Sequence, residues 1–231
     1  MTNDEAKVTL SIVVPVLNEA KHLPATLRAA QTASPTEVIV VDGGSRDATV
    51  ELAEAAGARV IISLPGRARQ MNVGAKAARG NTLLFLHGDT LLPQNFDHLI
   101  WQTLSRPNVI AGAFDLKIDG ASWGLRLVEW GVKGRSHLLQ MPYGDQAIFL
   151  KASVFQEIGG FPDLPIMEDF EMISRLRALG KIAIAPAAVL TSGRRWQKLG
   201  VCKTTLMNQL FVLAYTLKIP PETIVKWYRR G

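Results

Sequence analysis

The chain has 231 residues, of which 48% are hydrophobic and 20% charged, enough to bury a core and too apolar for a chain disordered throughout. Its single cysteine, Cys202, excludes an intrachain disulfide and favours a cytoplasmic location, and the acidic N-terminus without a cleavage pattern predicts no signal peptide. The charge is uneven: residues 191–231 hold eight basic residues and one acid, a net charge of +7. The whole chain has a net charge of +6, so residues 1–190 carry −1. We expect this basic end to attract phosphates, on a membrane surface or on nucleic acid.

The first ninety residues alternate between short apolar runs and helical patterns. Strands are predicted at 9–16, 36–42, 58–63 and 81–87, because these runs are nearly continuously apolar, as in strands covered on both faces. The segments between them repeat small and apolar residues at intervals of three and four, which predicts helices. The alternation predicts an α/β fold with a mostly parallel sheet and right-handed crossovers.

The pattern loosens after residue 90. Residues 108–119 and 145–153 are predicted as strands, and 167–180 as a helix that ends at its terminal glycine. Residues 181–191 form a further predicted strand, and the proline within it places that strand at an edge or a bend.

The C-terminal segment is predicted to be helical and broken at Pro220 and Pro221. Its apolar stretch is interrupted by polar residues and is too short to span a bilayer, which takes roughly 20 residues. We expect it to pack on its own domain or on a second subunit, as in a homodimer. The alternative is a membrane-peripheral helix that rests on anionic lipid.

Polar residues follow three of the predicted parallel strands, in the sequences PVLNE (15–19), VDGGS (41–45) and HGDT (87–90). Each sequence alone suits a helix cap, but ligands bind beyond the carboxyl ends of such strands, so together they predict a crevice. No dinucleotide or P-loop glycine motif follows any strand. A divalent cation on Asp89 could therefore neutralise a diphosphate, and so could Arg67 and Arg69. The alternative interpretation of the two arginines is that they lie at a solvated helix end and bind no ligand.

Four sequence blocks are similar to those of the family 2 glycosyltransferases. They are SIVVPVLNEAKHL, VIVVDGGSRDATVELA, QMNVGAKAARGNTLLFLHGDT and GGFPDLPIMEDFEMISRL, and they occur in the family's order over about residues 8 to 195. The LHGDT and SGRRW sequences further resemble the small bacterial subgroup associated with radical-SAM and selenodomain proteins.

The resemblance implies the GT-A fold and a domain organisation. Residues 1–195 would form the glycosyltransferase domain, with a donor-binding half at about 8–90 and an acceptor half at about 91–195. Residues 196–231 would form a basic amphipathic helical segment. The implied activity is metal-dependent, inverting transfer of a sugar from a nucleoside-diphosphate sugar of the UDP or GDP type to a hydroxyl acceptor. The cation would be Mn²⁺ or Mg²⁺.

The resemblance also implies donor-binding residues at the strand ends, on the third helix and in the SGRRW sequence. Asp89 matches the family's metal-binding aspartate, whereas His87 stands where many members have a further aspartate, so it is assigned to donor contact alone. Arg194 and Arg195 could grip the leaving diphosphate, because guanidinium groups match phosphate oxygens. The full donor set is Pro15, Leu17, Asn18, Glu19, Asp42, Gly43, Arg67, Arg69, Asn72, His87, Gly88, Asp89, Arg194 and Arg195.

The pair Glu168 and Asp169 matches the family's acidic block and is assigned to catalysis. An inverting transferase needs a carboxylate that takes the proton from the acceptor hydroxyl, and Asp169 is our choice for that base. The alternative is electrostatic, since acids favour the first turn of a helix. We predict that Asp42, Asp89 and Asp169 face one pocket.

Two other functions remain open. A nucleotidyltransferase would share the sheet and the metal chemistry, although PVLNEAK lacks the glycine-rich, arginine-containing loop that such enzymes usually need. A non-catalytic protein could bind a sugar nucleotide in the same crevice. Nucleic-acid binding is disfavoured, because the basic residues are not interleaved with several aromatic residues on a sheet face.

Overall fold

The computed structural model describes residues 8–230, with side chains described through residue 228. Its strands are β1 Leu10–Val16, β2 Thr36–Asp42, β3 Arg59–Ile62, β4 Thr82–Phe85, β5 Thr90–Leu91, β6 Val109–Ile118, β7 Phe149–Lys151 and β8 Lys181–Thr191. Its helices are α1 Leu23–Ala29, α2 Thr49–Ala55, α3 Arg67–Ala77, α4 Phe96–Leu104, α5 Trp123–Leu139, α6 Ala152–Glu157, α7 Glu168–Leu179, α8 Arg194–Leu199, α9 Val201–Thr216 and α10 Pro221–Arg230. A 3₁₀ turn spans Gly144–Gln146.

The strands form one mixed sheet in the order β3-β2-β1-β4-β7-β6-β8-β5. The first four strands pair in parallel, so the carboxyl ends of β1, β2 and β4 meet at one edge of the sheet, as the sequence predicts. β7 runs antiparallel to both β4 and β6, so β6 and its parallel partner β8 run in the same direction as the first four strands. The α/β fold with a substantially parallel sheet is therefore confirmed.

Side chains of β1 alternate between two apolar cores, one on each face of the sheet. Ile12 and Val14 belong to one core, and Val13 belongs to the other. Because both faces are covered, β1 is apolar at nearly every position. Helix α3 approaches this strand so closely that a Cβ at Gly74 would lie 2.4 Å from Val13 Cγ1.

The second half of the chain differs from its sequence prediction in two ways. Helices α4, α5 and α6 were not predicted, and the strand expected at 145–153 is limited to β7 because the 3₁₀ turn occupies its start. The predicted bend in β8 is confirmed. Phe114 pairs with Ala185 and Asp115 pairs with Ala188, so two residues including the proline lie outside the ladder.

The C-terminal helices pack on the rest of the domain, as the sequence predicts. Phe211 and Ala214 of α9 and Ile224 of α10 form a small core against Ile166. Within residues 8–230, no helix combines the length and apolarity needed to cross a membrane. The division of the chain at residue 195 remains a prediction.

Candidate active site

A cleft of about 370 Å³ opens beyond the carboxyl ends of β1 and β4 and continues under α5, α7 and α9. Its volume lies in the usual range for small-molecule sites, roughly 300–1,000 Å³. Most of the predicted site residues line it: Pro15, Glu19, Arg67, His87, Gly88, Asp89, Glu168, Asp169, Arg194 and Arg195. Asp89 and Asp169 thus share one cleft, as predicted.

Arg194 connects two acidic residues that line this cleft. Its Nη2 lies 3.2 Å from Asp89 Oδ2, its Nη1 donates to Glu19 Oε2 at 2.9 Å, and Nη2 also contacts Glu19 Oε1. Burial raises the pKa of Asp89, and the guanidinium opposes that rise. The positive charge of one guanidinium of the chain is therefore shared by two carboxylates, Asp89 and Glu19.

Asp89 could supply only part of the coordination shell of a divalent cation. Its carboxylate supplies the hard oxygen that Mg²⁺ and Mn²⁺ prefer. Among residues 8–230, no group of three or more His, Cys, Asp or Glu side chains is placed to hold a metal ion. The residues fit a cation that takes most of its other ligands from phosphate oxygens and water.

His87 is neutral in this environment. Burial lowers the pKa of its imidazole to about 3, and the positive charges of Arg67 and Arg194 add to the effect. The ring packs against the 3₁₀ turn, since a Cβ at Gly144 would lie 3.2 Å from its Nε2. A neutral imidazole can donate one hydrogen bond to a ligand and accept another.

The acidic pair Glu168 and Asp169 also lines the cleft, at the start of α7. Asp169 Oδ2 accepts a 2.7 Å hydrogen bond from the Gly144 N–H, and its Oδ1 accepts one of 2.7 Å from the Phe170 N–H. Glu168 is only 3% exposed, and burial raises its pKa despite an ion pair with Arg67 Nη1 at 3.4 Å. The backbone thus fixes the orientation of Asp169.

Asp145 is a cleft residue that the sequence did not reveal. Its Oδ1 is buried and finds no hydrogen-bond partner among the described residues. Burial raises its pKa to about 6, opposed by Arg135 and reinforced by Asp169. No sequence pattern indicated it, because it lies in a 3₁₀ turn within a segment whose apolar content predicts a strand.

Gln146 holds this turn in place. Its Nε2 donates to Phe114 O of β6 at 2.9 Å, and its Oε1 accepts from Arg135 Nη2 of α5 at 2.9 Å. The side chain is fully buried, so these bonds are shielded from water. They join the acidic side of the cleft to α5.

Asp42 does not line the cleft, so the prediction of one pocket for all three aspartates is wrong for this residue. Its side chain is buried, and Oδ2 accepts hydrogen bonds from the N–H groups of Gly44 and Ser45 at 2.8 and 2.9 Å. Through these short-range hydrogen bonds, the Asp42 carboxylate stabilises its own loop.

Five other predicted donor residues also lie outside the lining: Leu17, Asn18, Gly43, Arg69 and Asn72. The Asn72 amide donates to Phe161 O at 2.8 Å and accepts from Phe161 N at 2.9 Å, so it holds the chain that leads to α7. Arg69 lies 3.4 Å from the exposed Asp163. Such contacts could not be read from the sequence, because their partners are about ninety positions away.

Residues 11–156, more than half of the chain, match the sequence family described as glycosyl transferase family 2. The chain belongs to this family. One relative, an uncharacterized glycosyltransferase of Haemophilus influenzae, is 29% identical over 180 residues, which cover 72% of this chain and 61% of the relative. This chain therefore spans about three fifths of that relative's length.

Solved glycosyltransferase structures share the fold. S. aureus TarS in complex with UDP-GlcNAc gives a TM-score of 0.64 at 18% identity, over 80% of this chain and 58% of that one. The mannosyltransferase PcManGT of Pyrobaculum calidifontis, in complex with GDP-Man and Mn²⁺, gives 0.63 at 20% identity, over 80% and 57%. This family 2 chain thus has the GT-A fold.

Proposed function

We propose that this family 2 chain transfers a sugar from a nucleoside-diphosphate sugar to a hydroxyl acceptor with inversion at the anomeric carbon. The observation that carries the proposal is the cleft itself, which is lined by Asp89 with Arg194 and also by Asp169. The arrangement offers groups for a diphosphate and a carboxylate base within one small volume. A donor of the UDP or GDP type is supported by similarity to TarS and PcManGT, whose complexes hold UDP-GlcNAc and GDP-Man.

The donor diphosphate would bind near Asp89, Arg194 and Arg195. A guanidinium can make two parallel hydrogen bonds to phosphate oxygens, so Arg194 could exchange its contact with Glu19 for the diphosphate. Neutral His87 would hydrogen-bond the donor without adding charge. The predicted contacts of Asp42 with the nucleoside, and of Leu17, Asn18, Gly43, Arg69 and Asn72 with the donor, stay predictions.

Asp169 would act as the general base. As the acceptor oxygen bonds to the anomeric carbon, its proton passes to the Asp169 carboxylate, and the bond from that carbon to the diphosphate oxygen breaks with its electron pair on the diphosphate. The Gly144 N–H at 2.7 Å keeps the carboxylate turned into the cleft. Glu168, paired with Arg67, would position the start of α7.

Asp89 is the residue that would hold Mn²⁺ or Mg²⁺. Such a cation, when bound, would stabilise the negative charge that develops on the leaving diphosphate. PcManGT was solved with Mn²⁺, which supports a role for a divalent cation. Arg194 and Arg195 bring positive charge to the same side of the cleft.

Two finer assignments belong to the proposal. The LHGDT and SGRRW sequences favour the subgroup associated with radical-SAM and selenodomain proteins. Residues 196–231 would also make a peripheral contact with a membrane, because their exposed lysines favour anionic lipid headgroups. Dimer formation stays a prediction.

The test measures nucleoside diphosphate release from UDP- and GDP-sugars with and without Mn²⁺. We expect cation-dependent release that is lost in Asp89→Ala and Asp169→Asn and kept in Asp163→Asn, a control at an exposed aspartate outside the cleft. Near wild-type transfer by Asp169→Asn would refute the base. Pyrophosphate release from a nucleoside triphosphate and a sugar phosphate would instead identify a nucleotidyltransferase, and tight binding without turnover a binding protein.

A further inference from the structure

Helix α5 has an apolar stripe that faces solvent. Trp123, Leu127, Trp130 and Leu138 are separated by four, three and eight positions, so they lie on one side of a helix with 3.6 residues per turn. They are 74%, 55%, 80% and 82% exposed. Such large, contiguous exposed side chains are unusual on the free surface of a monomeric protein.

The opposite side of α5 is already occupied by the domain. Leu125 and Ser136 are buried, and Val128 and Val132 pack against the core and line the cleft. The exposed stripe is thus a second apolar side rather than the core-facing side of an ordinary amphipathic helix. A helix that is apolar on two sides is expected to meet a second apolar environment.

Helix α9 repeats this arrangement. Leu206, Leu210, Leu213 and Leu217, spaced by four, three and four positions, are 50% to 68% exposed. The two helices meet where a Cβ at Gly124 would lie 3.2 Å from Val201 Cγ1. Other residues of both helices line the cleft. We name the two stripes together the helical face.

The charge beside α9 is positive and unbalanced. Lys198, Lys203, Lys218 and Lys226 are exposed, and none forms an ion pair with a described residue. Glu222 is the single acidic residue between positions 191 and 231. A partner that covers the helical face must therefore be apolar at its centre and anionic at its rim.

We propose that the helical face rests on the surface of an anionic lipid bilayer, with the tryptophans of α5 at the headgroup level. Tryptophan favours the boundary between headgroups and acyl chains, and exposed lysines gain from anionic headgroups. A second copy of this chain fits less well, because it would bring two sets of unpaired lysines together. The proposal adds α5 to the membrane contact already proposed for residues 196–231.

The two helices that carry the stripes also form part of the cleft wall. Val128 and Val132 of α5, and Thr205 and Val212 of α9, line the cleft on helices whose opposite sides carry the stripes. Membrane binding does not depend on the proposed transferase function.

The test is co-sedimentation of the full chain with vesicles of phosphatidylglycerol and phosphatidylcholine in equal amounts, and with vesicles of phosphatidylcholine alone. We expect binding to the anionic vesicles, with a blue shift of tryptophan fluorescence, and at least tenfold weaker binding to the neutral vesicles. The double variant Trp123→Gln, Trp130→Gln should bind the anionic vesicles at least tenfold more weakly and lose most of the shift.

A matched control replaces Ile62 and Leu64 with glutamine, since both are 66% exposed and lie outside the helical face and the cleft. This variant should bind as the wild type does, and circular dichroism should show all variants folded, because none of the replaced side chains is buried. Equal vesicle binding by the tryptophan variant and the wild type would overturn the proposal. So would a dimer that the tryptophan variant dissociates, without vesicle binding by the wild type. No sugar donor is used, so the result is independent of the transfer assay.

Discussion

The Arg194 guanidinium lies 3.2 Å from the Asp89 carboxylate, although the two residues are more than one hundred positions apart in the chain. The same guanidinium contacts both oxygens of Glu19. The guanidinium thus contacts the carboxylate that would hold a divalent cation, and it carries the positive charge that would bind a diphosphate. We infer that cation, diphosphate and Arg194 rearrange together when the donor binds.

Arg194→Ala should separate cation binding from nucleotide binding. Removal of the guanidinium frees Asp89 and Glu19, so Mn²⁺ binding to the ligand-free protein should tighten. Loss of a charge-assisted contact should weaken UDP or GDP binding about tenfold, from roughly 1.5 kcal/mol or more. Electron paramagnetic resonance titration measures the first change and calorimetry the second. Weaker Mn²⁺ binding by the variant would contradict the inferred competition.

Gly144→Ala should slow turnover while the fold stays intact. The added Cβ would lie 3.1 Å from Asp169 Oδ2 and 3.2 Å from His87 Nε2, so both side chains must shift by a few tenths of an ångström. Small displacements of a reacting group can cost up to about a hundredfold, and we expect a fall in kcat of at least about tenfold. Steady-state kinetics measures it.

Gly131→Ala is the matched control for that variant, because a Cβ there meets no other atom within 4 Å. It should leave kcat unchanged, and both variants should keep a melting temperature close to that of the wild type. Equal kcat values for Gly144→Ala and the wild type would show that the position of Asp169 does not limit the reaction.

Asp145→Asn should stabilise the protein at neutral pH and not in acid. The pKa of Asp145 is raised from 3.8 to about 6, so the folded state binds its proton more tightly than the unfolded state does. Stability from this group is present below about pH 4 and is lost as the pH rises towards 6. The loss is about 2–3 kcal/mol, since one pKa unit corresponds to about 1.4 kcal/mol.

Urea unfolding at pH 4 and pH 7.5 measures this difference between the wild type and Asp145→Asn. The asparagine cannot ionise, so the variant should gain stability relative to the wild type only at the higher pH. A gain of equal size at both pH values would indicate a packing effect rather than the ionisation of a buried carboxyl.

His87→Gln should make the protein less sensitive to acid. The pKa of His87 is lowered from 6.5 to about 3, so the unfolded state takes up a proton that the folded state refuses. Stability is complete above about pH 6.5 and is lost as the pH falls towards 3. Between pH 7 and pH 4.5 the wild type should lose about 2–3 kcal/mol through this group, and the variant should not. Differential scanning calorimetry of both proteins across this pH range measures the difference. If His87 does not have the lowered pKa, the stability of the wild type and that of the variant should depend on pH in the same way.

The first half of the chain was predictable because its signals are local. Continuous apolar runs identified β1, β2 and β4, and the polar residues after them identified an edge of the sheet where Asp89 lies. The second half was harder to predict. Helix α5 was missed because Trp123 and Trp130 place apolar residues on the side that faces solvent, so the helix lacks a single apolar side.

The sequence by itself determined the family, the alternation of strands and helices, and the presence of Asp89 and Asp169 in one cleft. Only the tertiary structure decided that Arg194 contacts Glu19 across 175 positions, that Asp42 turns into its own loop, and that Asp145 has a buried carboxylate oxygen near Asp169. The physical reason is that periodicity reports burial within one element. Contacts between charged side chains depend instead on where the connections between elements bring distant segments together.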